Sequence, residues 1–197
     1  MAELVLFHHV QGLTDGVRAL ADDLRGGGHV VHTPDLIEER VFGSIEDGFA
    51  YLEALGDGVI EERVAQAVEG LPERLVFAGV SFGAMSAMRL AVTRPGAVGL
   101  VLLESALPVV GEWAFGPFPD GVRVQVHGAE CDEFFQEDLP FAEEMLTVLG
   151  PERAELYLYP GDRHLFTDRS LPSSDPAATG LVVERVLAFL DRVDAGR

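Results

Sequence analysis

The 197-residue sequence predicts an α/β fold, a mostly parallel sheet of about six to seven strands with helices on both faces and no lid domain. Three observations predict it. Strand-like and helix-like segments alternate along the chain with no long linker, internal repeat or low-complexity tract, which is the pattern of a parallel sheet covered by helices. Residues 98–103 form a continuous apolar run, as expected of a strand buried on both faces. The stretch Gly79-Val80-Ser81-Phe82-Gly83 joins an apolar β-like run to a helix-like run through a sharp, glycine-flanked turn.

The elements follow in order. Residues 4–8 read as a first strand, and Thr14 is placed to cap a helix whose Val17, Leu20, Ala21 and Leu24 recur at i, i+3, i+4 and i+7. Gly26-Gly27-Gly28 ends that helix. A second strand spans 29–33 and stops at Pro34, and residues 43–70 are mostly helical in two pieces broken near Gly56 and Gly58. The strand at 74–80 feeds the turn at Ser81. Further strands are read at 98–103, 122–127 and 154–159. Between the last two, Phe141, Met145, Val148 and Leu149 define a helix with Pro140 near its start. Asp175 and Pro176 open a closing helix that buries Val183, Val186, Leu187 and Leu190. The length suits one domain spanning the chain, and a hydrophobic content of 48% is ample for a single core. Only about sixteen residues, 105–120, separate two of the strands, too few for a separate lid.

Charge narrows the partners. The formal net charge of −19 arises from 33 acidic residues against 14 basic ones, all of them arginine, and such a surface repels nucleic acid and anionic membranes. No apolar run approaches the roughly 18 to 20 residues needed to span a bilayer. The first residues lack a basic leader and read as a strand, and the single cysteine, Cys131, rules out an intrachain disulfide, so a cytoplasmic protein is expected. The expected state is monomer or homodimer, and the expected partner a small molecule.

The chemistry centres on Ser81. A hydroxyl is a poor nucleophile near neutral pH, so it needs a base within hydrogen-bond reach and a carboxylate to orient that base. In strand-turn-helix nucleophile elbows the partners follow in the order Ser, Asp or Glu, His, each after a strand. Here the strand at 122–127 runs into Glu130-Cys131-Asp132-Glu133, and the strand ending at Tyr159 runs into Pro160-Gly161-Asp162-Arg163-His164. Asp132 is preferred to Glu130 as the acid because an aspartate a few residues past the strand suits that geometry. His8, His9, His29, His32 and His127 lie in or at the ends of strands, where satisfied structural imidazoles are the simpler reading. Backbone N–H groups of Phe82 and of Val10 or Gln11 are the expected oxyanion donors. Trp113, Phe115 and Phe118, in a short loop stiffened by Pro117 and Pro119, are expected to wall a substrate pocket, with a buried structural role open for each. No metal or cofactor is called for.

These residues together resemble the α/β-hydrolase fold and, within it, the dienelactone hydrolase family of small lidless enzymes. The resemblance spans nearly the whole chain: His8-His9-Val10-Gln11-Gly12-Leu13, Thr33-Pro34-Asp35-Leu36, the elbow, the acid loop around Asp132, and Tyr159-Pro160-Gly161-Asp162-Arg163-His164-Leu165-Phe166. It implies Ser81, Asp132 and His164 as a catalytic triad. The family's glutamate near the nucleophile corresponds loosely to Glu38 or Glu39, which adds Glu38 to the expected pocket. Dienelactone hydrolases proper carry cysteine within G-x-C-x-G-G, whereas this chain has Ser81 and, in place of the last glycine, Ala84. The resemblance therefore implies hydrolysis of a small ester, lactone or thioester rather than of dienelactone. A catalytically silent ligand- or partner-binding protein and an acyltransferase are the alternatives.

Overall fold

In the computed structural model, which describes residues 1–196, six parallel strands form one sheet in the order β2-β1-β3-β4-β5-β6. The strands are β1 (Glu3–Phe7), β2 (Val30–His32), β3 (Leu75–Val80), β4 (Ala97–Leu103), β5 (Arg123–Ala129) and β6 (Ala154–Tyr159). The helices are α1 (Asp15–Gly26), α2 (Ile45–Leu55), α3 (Val59–Ala67), α4 (Gly83–Thr93), α5 (Glu133–Leu149) and α6 (Pro176–Ala195).

Side-chain alternation along each strand sends neighbours to opposite faces. Leu4 and Leu6 of β1 join a core beneath α1 and α6, while Val5 and Phe7 join a second core beneath α3, α4 and α5. Both faces of β3 are therefore buried, which accounts for its unbroken apolar sequence. Chain order reverses at β1: β2 lies on one side of it and β3 on the other. In open sheets of this kind, ligands bind beyond the carboxyl ends of the strands at such a switch point.

Local signals account for most helix ends. The Thr14 hydroxyl accepts from Val17 N–H at 3.2 Å, and Asp175 accepts from both Ala177 and Ala178 N–H with Pro176 in the first turn. Gly56 and Gly58, both at φ 81°, separate α2 from α3 as expected.

Helix α5 departs from the sequence reading. It begins at Glu133, capped by Asp132, so Pro140 lies inside it rather than near its start. The helix is also rotated relative to the expected stripe: Phe135, Ala142 and Met145 are buried, whereas Phe141 and Val148 are exposed. Asp132 fixes the start of the helix through Phe134 N–H at 3.0 Å, and packing of Phe135, Ala142 and Met145 into the core beneath it selects the buried face. In α6 the fully buried stripe is Val182, Val186, Phe189, Leu190 and Val193, with Val183 and Leu187 only half-buried at its border. Strand β2 is one residue shorter at each end than expected, and beside its start His29 Nδ1 accepts the Ala2 N–H at 3.2 Å. No helix is long and apolar enough to cross a membrane among the described residues.

Candidate active site

The turn after β3 is built by close approach. A Cβ on Gly79 would lie 2.2 Å from Gly83 O, and one on Gly83 would lie 2.5 Å from Phe7 O, so neither position admits a side chain without backbone movement. Ser81 itself sits at φ 48°, an uncommon conformation for a residue with a Cβ, which costs of order 1–3 kcal/mol and is tolerated where the surroundings over-determine it. Its N–H donates to Leu103 O at 2.7 Å, anchoring the turn to β4. The side chain is thereby lifted above the sheet at the amino end of α4, where unsatisfied N–H groups favour negative charge.

Three sequence-predicted residues meet there. Ser81 Oγ lies 2.8 Å from His164 Nε2, and His164 Nδ1 lies 2.6 Å from Asp132 Oδ2. Because the buried Asp132 carboxylate can only accept, Nδ1 carries the imidazole proton and Nε2 is left to accept from the serine hydroxyl. Asp132 Oδ1 accepts Phe134 N–H at 3.0 Å, so the carboxylate is held at the amino end of α5 while it holds the histidine. Glu130, by contrast, is exposed, and Asp132 is the acid that reaches His164.

The loop from β6 to α6 carries His164 and is gripped at two successive residues farther on. Thr167 donates its N–H (2.9 Å) and its hydroxyl (2.6 Å) to Glu104 Oε1, and Glu104 is a buried acid at the end of β4 with φ 60°. Burial pushes the Glu104 carboxyl above the usual carboxylate range, opposed by the nearby His164 and by the Thr167 hydrogen bonds. Next, Asp168 Oδ2 accepts from His9 Nε2 at 2.8 Å and from the Thr14 hydroxyl, while Oδ1 accepts from Ser170 N–H and Oγ. Burial alone would raise the Asp168 carboxyl, but these hydrogen bonds outweigh it and bring it down to about 2. The histidine loop is thus tied to β4 on one side and to the loop after β1 on the other. Neither tie was legible in the sequence, although a lone acid closing an apolar strand was the available signal for Glu104.

The other expected site residues make contacts of their own. The Gln11 N–H donates to His9 Nδ1 at 3.2 Å and is therefore engaged away from Ser81, leaving Val10 and Phe82 as the expected oxyanion donors. Trp113 is 80% exposed, and Phe115 and Phe118 pack against the core with the Arg89 and Arg153 guanidinium groups over their rings. Glu38 pairs with Arg63 at 2.6 Å and receives Tyr51 OH at 3.3 Å. None of these four lines the groove beside Phe82, which is walled by α2, α3 and α4. An aromatic that the sequence reading missed does touch the site: the Phe134 ring centroid lies 4.7 Å from that of His164, tilted by 36°. It follows Asp132 by two residues, so the start of α5 positions both.

Compared with known proteins, the sequence matches no family model and no curated protein sequence. Solved structures do match. A dienelactone hydrolase-like promiscuous phosphotriesterase from metagenomic libraries superposes with a TM-score of 0.76 at 17% identity, over 98% of this chain and 87% of the other. The fold is that of the α/β hydrolases. Carboxyl esterase 2 of the mycorrhizal fungus Tuber melanosporum (0.69, 15% identity, 98% and 79% covered) shares it, as does an esterase of Pyrobaculum calidifontis (0.60, 17%, 98% and 77%). Seen as an α/β-hydrolase fold, the sheet places Ser81, Asp132 and His164 beyond the carboxyl ends of β3, β5 and β6, with the β1 loop alongside. Such a set can generate a serine nucleophile and hold the charge that develops on its attack.

Proposed function

We propose that this protein is a dienelactone hydrolase-like serine hydrolase that cleaves a small ester, lactone or thioester through an acyl-enzyme. The observation that carries the reading is the hydrogen-bonded chain from Ser81 through His164 to the buried Asp132. As Ser81 Oγ attacks the carbonyl carbon, His164 Nε2 takes its proton, and Asp132 stabilises the imidazolium through Nδ1. The carbonyl oxygen, now negative, is held by the N–H groups of Phe82 and Val10, helped by the amino end of α4. Collapse of this intermediate expels the alcohol or thiol, which takes the proton from His164. Water then attacks the acyl carbon while His164 Nε2 takes one of its protons. As the Ser81 Oγ–carbon bond breaks to release the acid, His164 returns that proton to Ser81 Oγ. The activities of the structural neighbours, two esterases and a phosphotriesterase, are consistent with this chemistry on the same fold.

A fluorophosphonate probe tests the reading directly. Stoichiometric labelling of the native protein, abolished in Ser81→Ala, is expected, together with loss of short-chain aryl ester hydrolysis by at least about 10³-fold in that variant. Absence of labelling under conditions that modify a control serine esterase would leave the silent binding protein as the better account.

A further inference from the structure

A groove of about 620 Å³ lies between α4 and the α2–α3 pair, within the size range of small-molecule sites. It starts beside the elbow. Phe82, Met85 and Arg89 line it at helical spacing along one face of α4, and Ile60 and Val64 of α3 form much of the opposite wall. Phe82 is the residue that follows Ser81. Ser81, Asp132 and His164 do not line the groove, so Phe82 is the residue through which it adjoins the elbow and the place where a chain on a carbonyl held at Ser81 would enter.

The groove also discriminates by charge. Arg89 stands at its far end, but Nη2 is bonded to Glu61 Oε1 at 3.2 Å and the guanidinium lies 5.4 Å from the Phe115 ring centroid. The cation is thus engaged on both sides. Asp57 at the rim and the net charge of −19 further oppose an anionic chain end. From Phe82 to Arg89 the helix rises about 10 Å, room for an extended chain of roughly eight carbons. Met85, half-exposed on this wall, has the unbranched thioether side chain that conforms to flexible apolar chains.

We propose that this groove is the acyl-chain subsite, and that the substrates are neutral esters or thioesters of linear, medium-length apolar acids. The proposal rests on the serine hydrolase reading and deepens it. Acyl length should then be read by kcat/KM, since each methylene buried in a fully apolar site is worth about fourfold and a half-open groove somewhat less.

The test compares p-nitrophenyl acetate with p-nitrophenyl octanoate in the wild type and in Ala65→Trp, which places an indole in the groove from an exposed position on α3. The octanoate-to-acetate ratio of kcat/KM is expected to exceed ten in the wild type and to fall at least tenfold in the variant. Met85→Trp should act in the same direction, and Leu181→Ala, exposed on α6 across the sheet, should leave the ratio unchanged. A flat response to acyl length, or an unchanged ratio in both tryptophan variants, overturns the subsite while leaving the hydrolase reading intact. Calorimetric binding of 2-decanone to Ser81→Ala separates the two ideas from the other side. Binding lost on adding Ala65→Trp supports the groove even where no ester is hydrolysed, an outcome that would sink only the hydrolase reading; no binding overturns the groove.

Discussion

Asp132 serves two elements at once, and that double use distinguishes it from the other acids of its loop. One oxygen holds His164 Nδ1 at 2.6 Å and the other caps α5 through Phe134 N–H. Asp132→Asn keeps the cap but presents an amide that can donate to Nδ1, which favours the wrong tautomer. It is therefore expected to reduce kcat by roughly 10⁴-fold with little loss of stability. Glu130→Gln, on an exposed side chain, should leave kcat within about twofold of wild type. Side-by-side ester kinetics of the two variants check the assignment, and the reverse ranking would transfer the role to Glu130.

The loop from β6 to α6 is the element on which the geometry of His164 depends. Leu165 adopts φ 60°, and just beyond it Thr167 and Asp168 are held by three groups from two other parts of the chain: Glu104 after β4, and His9 and Thr14 in the loop after β1. Glu104→Ala would leave the Thr167 N–H and hydroxyl buried without an acceptor, a loss of about 2–4 kcal/mol in folding and a looser histidine. Glu104→Gln retains an acceptor oxygen. Because burial raises the Glu104 carboxyl, its neutral form is favoured in the fold, and stability is lost as pH rises through and beyond the usual carboxylate range. Urea unfolding at pH 5 and pH 8 should show Glu104→Gln gaining on wild type at the higher pH and Glu104→Ala below both throughout. Equal behaviour of the two variants would mean that the hydrogen bonds to Thr167 do not anchor the loop. A similar device steadies the loop before β5, where Asp138 of α5 accepts from Ser105 Oγ and Ala106 N–H.

Across the whole molecule, acid sensitivity comes from histidines buried as neutral acceptors and donors. Burial lowers His8 to about 4 and His127 to about 3, each from 6.5. His8 accepts Leu36 N–H and donates to His9 O; His127 accepts from Tyr159 OH and donates to Gln125. The unfolded chain binds protons at these positions below about pH 6.5 and the folded chain does not. Stability is therefore expected to fall as pH drops from about 6.5, at about 1.4 kcal/mol per unit for each histidine, until pH 4 and pH 3 are reached. Asp168 adds its loss lower still, between about 3.8 and 2. Denaturant titrations at pH 6.5, 5.5 and 4.5 check the sign, and a flat profile over that range would contradict the neutral burial of both imidazoles.

Periodicity determined the α/β alternation, the six strands and the elbow at Ser81, because those signals are local: strand alternation, helical spacing and the glycines of one turn. The order Ser81, Asp132, His164 was readable for the same reason, since each follows its own strand. What tertiary structure decided are the facts that depend on residues far apart in the chain. It buried Phe135, Ala142 and Met145 of α5 against the sheet, held Asp168 with His9 and Thr14, and put Phe134 beside His164. It also joined Glu104 to Thr167 across 63 positions and opened the groove between α3 and α4. Hydrogen bonds and cavities of this kind arise only after packing brings side chains within a few ångströms, and no local pattern encodes that distance.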